Sequence, residues 1–147
     1  MLEKTNLIGA ITTIVIYVLY ILMCVFRLLG LPEYGHWIAS LQFLSVIPLV
    51  YVLMKAPKLG RPGLYYIQVV LMLVFLFVEL MLDYVMKIEF RQTKWMVISY
   101  VTLFFAATGG LLGVVAQMEK RKWIRVALAL YLIMGILAFI QRAVTGL

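Results

Sequence analysis

Five long apolar runs divide this chain, and short links rich in charges or turn residues separate them. The first run extends about 22 residues from Thr5 to Phe26 without a charge, and none falls between Trp95 and Met118. A helix that crosses a bilayer needs roughly 20 predominantly apolar residues. The lengths of the runs therefore predict five membrane-spanning helices.

Composition leads to the same fold class. Hydrophobic residues make up 66% of the chain and charged residues 13%, whereas soluble domains average about 45–50% and about 25%. A chain of 147 residues cannot hide that much apolar surface in a water-soluble globule. We expect an all-α fold, an integral membrane bundle of five transmembrane helices that forms one domain. The predicted spans are about 5–29, 37–54, 62–86, 94–118 and 123–144.

Lysine and arginine are divided unequally between the two sides of the predicted bundle. Eight lie on the side of the N-terminus and five on the opposite side. Cytoplasmic loops carry an excess of these residues, so we expect a cytoplasmic N-terminus and an external C-terminus, in a bacterial inner (plasma) membrane. A basic cluster in the last link is expected to contact anionic lipid headgroups at the cytoplasmic face. We define this basic cluster as Lys120, Arg121, Lys122 and Arg125. Nucleic acid is not an expected partner.

The first predicted helix carries one polar stripe. Asn6, Thr13, Tyr20 and Arg27 recur every seven residues, with Ala10, Tyr17 and Cys24 between them. Such a stripe is expected to face the bundle interior, where it serves helix packing or lines a polar cavity.

Acidic residues on the third predicted helix form the strongest candidate site. Glu79 and Asp83 are four residues apart and share a face, and Gln68 lies on nearly the same face. Arg27 and Arg142 end two other helices on the same side of the bundle, and the candidate cluster also includes Tyr20 of the polar stripe. Charges within a span need partners or water. The arrangement predicts a structural ion-pair network, or an externally open polar pocket that binds a solute or carries protons through Glu79. A third alternative is that the charges reach the headgroups individually.

Small residues mark one face of the fourth predicted helix, where two helix backbones can approach closely. The expected helix-packing residues are Ala106, Gly109, Gly110 and Gly113. Their partner could be a helix of this chain or of another subunit.

Motifs for catalysis or cofactor binding are missing from the sequence. It contains no H-E-x-x-H, G-x-S-x-G or phosphate-binding loop, and Cys24 and His36 are its only cysteine and histidine. We therefore expect no enzyme and no cofactor. The favoured hypothesis is an accessory or scaffold subunit that packs against another membrane subunit or itself. The alternative is a small transporter or ligand-binding membrane protein with a polar pocket in the outer half of the bundle, with or without proton coupling.

Overall fold

The computed structural model describes residues 2–58, 60, 63–85, 94–116 and 120–145. These residues are almost entirely helical and include no strand. The α-helices in this part of the chain are α1 (Leu2–Leu28), α2 (Pro32–Leu41), α3 (Val46–Lys55), α4 (Gly63–Glu79), α5 (Lys94–Ala116) and α6 (Arg121–Thr145). A 3-10 turn at Gln42–Ser45 joins α2 to α3, and a π-helical turn at Leu80–Val85 extends α4.

Within the described residues, five helical segments are long and apolar enough to cross a membrane, which confirms the all-α class and the predicted number of such helices. They are Lys4–Leu28, His36–Lys55, Gly63–Leu82, Lys94–Ala116 and Arg121–Val144. Their bounds differ from the predicted ones by a few residues. The last helix begins two residues early because the backbone N–H groups of Trp123 and Ile124 both donate to the Lys120 carbonyl. All four residues of the basic cluster are exposed around this first turn.

Pro48 explains why the second apolar segment is not one continuous α-helix. Proline lacks an N–H, and its ring crowds the carbonyl four residues earlier, here that of Leu44. Leu44 lies in the 3-10 turn between α2 and α3. The buried Gln42 side chain ties this turn to the centre of α1, since its Nε2 donates to the Ile16 carbonyl at 2.9 Å.

α1 is the central helix of the bundle. It packs against α2, α3, α5 and α6, while α5 also packs against α4 and α6. The polar stripe of α1 faces this interior as expected. Its buried members are Ala10, Thr13, Tyr17, Tyr20 and Cys24. The Tyr17 hydroxyl donates to the Thr108 carbonyl and thereby joins α1 to α5.

The glycines of α5 are covered by side chains of the same chain. A Cβ built on Gly113 would lie 2.6 Å from Cδ of Gln68 on α4, and one built on Gly110 would lie 3.5 Å from the same side chain. A Cβ on Gly109 would lie 3.0 Å from the Tyr131 hydroxyl of α6. These glycines therefore let α4 and α6 approach α5 closely. Ala106, the fourth expected packing residue, is exposed.

Candidate functional site

A cavity of about 130 Å³ lies at the end of the bundle where α1 and α6 terminate, which we call the Arg27 end. The ends of α1, α4 and α6 and the beginning of α5 meet around it. They lie at the same side of the bundle because successive membrane-length segments alternate in direction. Its lining includes Tyr20, Cys24 and Arg27 of α1, Glu79 of α4, Tyr100, Phe104 and Phe105 of α5, and Phe139, Gln141 and Arg142 of α6. We call this space the Glu79 cavity.

The structure brings four of the six residues of the predicted polar cluster to this cavity. Tyr20, Arg27, Glu79 and Arg142 come from three helices and line the same cavity. The side chain of Asp83 lies outside the described residues, although its backbone belongs to the π-helical turn that follows Glu79. Short π-helical insertions in helices are frequent at functional sites.

Gln68 does not belong to the cavity, contrary to prediction. It was placed on nearly the same face as Glu79, but eleven residues separate the two, which is about 16 Å along a helix. The side chain instead covers Gly110 and Gly113 of α5. A shared helix face does not bring two residues into one site when several turns lie between them.

Glu79 is the buried acidic residue of the cavity wall, with 3% of its surface exposed. The Tyr20 hydroxyl donates to its Oε2 at 3.1 Å, and the Tyr100 hydroxyl donates to its Oε1 at 3.5 Å. A buried carboxylate is stabilised when its oxygens accept hydrogen bonds. Each carboxylate oxygen thus receives a phenol donor, and the two donors come from different helices.

Aromatic packing fixes the positions of these two phenols. The Tyr20 ring meets the edge of Phe104 at 5.0 Å between centroids, and the Tyr100 ring lies 5.4 Å from Phe75. Phe75 and Phe104 are themselves in contact at 5.5 Å. Phe75 lies one turn before Glu79 on α4 and is fully buried. Tilted and edge-to-face ring pairs of this kind favour one mutual geometry, so the hydroxyls are held in place around the carboxylate.

Two arginines give the cavity its positive charge. Arg27 lies in the last turn of α1 and Arg142 in the last turn of α6, and both side chains are partly buried. Together with Glu79 they are the charged residues that the described part of the chain contributes to the cavity lining. Guanidinium groups bind carboxylate and phosphate oxygens through paired N–H donors. The cavity therefore combines groups that can bind an anion with apolar and aromatic walls.

Sequence reasoning missed the contribution of α5. Tyr100 and Phe104 line the cavity and Thr108 is buried one turn further on, at spacings of four residues. This four-residue spacing was the sequence signal that could have identified the inward face of α5. The small residues of the same helix drew attention to an adjacent face, where Ala106 is exposed.

No three His, Cys, Asp or Glu side chains come together as a metal site in the ranges that the structure describes. The polar groups around Glu79 are phenols, guanidinium groups and amides. They are suited to hydrogen bonding and ion pairing with an organic solute.

Comparison with protein-family models, with curated proteins and with solved structures finds no match to this chain.

Proposed function

We propose that this chain is an integral membrane protein whose Glu79 cavity binds a small organic solute. One observation carries the proposal: a buried carboxylate, bonded to two phenols, lines a cavity that two arginines also line. Ligand sites combine mostly apolar walls with a few convergent polar groups in this manner. A membrane bundle of five spanning segments would also allow transport of the bound solute, and we propose transport as an extension of binding.

The surface of the bundle supports a membrane location. α6 presents a row of large apolar side chains that are 44–65% exposed. They are Leu128, Leu132, Ile133, Ile136 and Phe139. Such a surface is unfavourable in water, whereas lipid tails accept it without cost. The proposed orientation follows the lysine and arginine excess, with the N-terminus in the cytoplasm of a bacterial cell and the Arg27 end outside.

The exposed basic cluster fits the same orientation. Lys120 and Arg125 bracket the start of α6, and Trp123 lies between them. Basic side chains near a membrane surface attract anionic lipid, each contributing about 1 kcal/mol. We propose that they anchor the cytoplasmic end of the bundle opposite the cavity.

The accessory-subunit hypothesis loses one of its two supports. It drew on the short links outside the apolar spans and on a small-residue face that would accept a partner helix, and only the second argument is affected. Gln68 covers Gly110 and Gly113 within the chain, and Tyr131 covers Gly109. These glycines therefore have a structural explanation that requires no second subunit.

Cys24 offers a direct test, because it lines the cavity and is the single cysteine of the chain. We would measure the rate at which N-ethylmaleimide, a small organic solute itself, labels Cys24 in membranes. Ala138→Phe adds bulk to the cavity wall and should slow labelling about tenfold, as expected if it closes most of the space. Ala129→Phe adds the same bulk at an exposed position of the same helix and should leave the rate unchanged.

Equal labelling rates in both variants would contradict a solute-accessible cavity. Resistance of wild-type Cys24 to the reagent would contradict it as well. Far-UV circular dichroism of each variant checks that the helical fold is retained.

A further inference from the structure

A stacked pair of aromatic rings lines one side of the Glu79 cavity. Phe105 of α5 and Phe139 of α6 stack at 5.6 Å between centroids with an interplanar angle of 15°, and both line the cavity. Phe139 is 65% exposed on the outside of the bundle. The same side chain therefore faces the cavity and the surroundings, and its displacement would connect the two.

The same two helices contribute small apolar residues to the cavity wall. Val97 and Val101 of α5 and Ala138 of α6 line the cavity, and all three are partly buried. In a membrane, an apolar gap between two helices opens toward lipid tails. A molecule that passes Phe139 would come from the hydrocarbon layer.

The charges of the cavity are arranged along its length. Tyr20, which binds Glu79, lies seven residues before Arg27 on α1, a separation of about 10 Å along the helix. Arg142 lies in the last turn of α6, three residues beyond Phe139. Among the described residues of the lining, the two arginines thus lie at the end of the bundle, and Glu79 lies deeper.

We infer that the Glu79 cavity takes an amphipathic anion that enters sideways from the lipid between α5 and α6. Its anionic head binds Arg27 and Arg142, and its apolar body lies against Phe104, Phe105 and Phe139. Glu79 repels the head from the deep end and so fixes the direction of the bound molecule. This inference deepens the proposed function and rests on it.

Size limits the part of the ligand that is enclosed. The cavity volume of about 130 Å³ is close to that of an engineered cavity, about 150 Å³, which encloses one benzene molecule. The cavity therefore holds the head-proximal part of an alkyl or aryl body. The rest of a longer chain would extend past Phe139 into the lipid.

The test of the ligand class is protection of Cys24 from N-ethylmaleimide in the full chain reconstituted into phosphatidylcholine vesicles. Decanoate, decyl phosphate, decanol and decyltrimethylammonium have the same chain and differ in the head. Protection is the ratio of labelling rates without and with the compound in each variant, so that changes in the reactivity of the thiol cancel. We expect the two anions to protect at concentrations about ten- to hundredfold lower than the other two compounds.

Arginine variants show whether the head binds where proposed. Arg27→Gln and Arg142→Gln should each remove this preference for anions, whereas Arg125→Gln, at the other end of α6, should retain it. Protection by the trimethylammonium compound at the lower concentration would overturn the anion assignment and leave the solute-binding cavity standing. Protection by none of the four compounds would overturn the proposed function together with the inference.

The lateral entrance has its own measurement. Phe139→Ala should increase labelling of Cys24 by the lipid-soluble N-cyclohexylmaleimide several-fold, as loss of a steric gate predicts, and it should leave labelling by a sulfonated, water-soluble maleimide unchanged. Ile136→Ala, another exposed apolar residue of α6, is the matched control and should change neither rate. A selective increase with the water-soluble reagent would overturn the lateral entrance and place the opening at the end of the bundle.

Discussion

The two ends of the bundle are packed in opposite ways by the same helices. Toward the Lys120 end, glycines of two helices allow close approach: Gln68 of α4 lies against Gly113 of α5, and Val114 of α5 lies against Gly9 of α1. Toward the Arg27 end, α5 carries Tyr100 and Phe104 in place of small residues, and the helices enclose a cavity. Residue size along one helix therefore determines where the bundle is close-packed and where it contains a cavity.

This comparison shows how a small bundle can accommodate a buried acid. Close packing at one end holds the helices together and leaves space at the other end for a buried acid and its hydrogen-bond donors. The aromatic rings that keep the helices apart at the Arg27 end also provide the hydroxyls that bond Glu79. The same side chains thus create the cavity and stabilise its charge.

The largest expected effect comes from removing the aromatic support of the cavity. Phe75→Ala deletes a fully buried ring that contacts Tyr20, Tyr100 and Phe104. Large-to-small changes of this type cost about 3–5 kcal/mol, and the free energy of unfolding should fall by that amount in reversible SDS unfolding followed by circular dichroism. Phe77→Ala, on the exposed side of α4, should have little effect. Equal losses in both variants would show that burial does not distinguish the two faces.

A smaller effect is expected at the close-packed end. Gly113→Leu would drive a side chain into Gln68 and should lower the free energy of unfolding by about 1–3 kcal/mol. Adding Gln68→Ala to the same chain should recover much of the loss, because it empties the space that the leucine needs. Gly110→Ala, whose Cβ would make an ordinary 3.5 Å contact, is the control. If Gln68→Ala gives no recovery, the helices do not meet as described.

The smallest expected effect distinguishes the two phenols that bond Glu79. Tyr20→Phe removes the 3.1 Å hydrogen bond and should lower the free energy of unfolding by about 1 kcal/mol. Tyr100→Phe removes a 3.5 Å contact at the limit of hydrogen bonding and should cost less. The same SDS titration compares them. A larger loss for Tyr100→Phe would reverse the order in which the two hydroxyls support the carboxylate.

Most of the fold could be predicted from the sequence. The five apolar segments are long enough that their number and order follow from counting, since a spanning helix needs about 20 residues. The inward face of α1 follows from the seven-residue recurrence of Thr13 and Tyr20, both buried. Even the interruption near Pro48 has a local cause, because the missing N–H acts within one helical turn.

The candidate site could be predicted only in part. Glu79, Arg27 and Arg142 were placed in one layer by the alternation of helix direction, and the structure finds them around one cavity. Tyr100 was missed, and Gln68 was wrongly included, because position on a helix face does not specify which neighbour lies opposite. The identity of the opposite neighbour depends on how closely two helices approach. The glycines of α5 determine this approach through contacts with side chains that are distant in sequence.

The sequence alone therefore determined the helical class, the number of apolar segments and the charge asymmetry, since each depends on residues near one another in the chain. The tertiary structure alone decided that Gln68 covers Gly113, that two phenols from different helices meet one carboxylate, and that Phe139 lines the cavity while it stays exposed on the outside. These contacts join residues that are distant in sequence, and helix packing brings them together because it must fill volume in three dimensions.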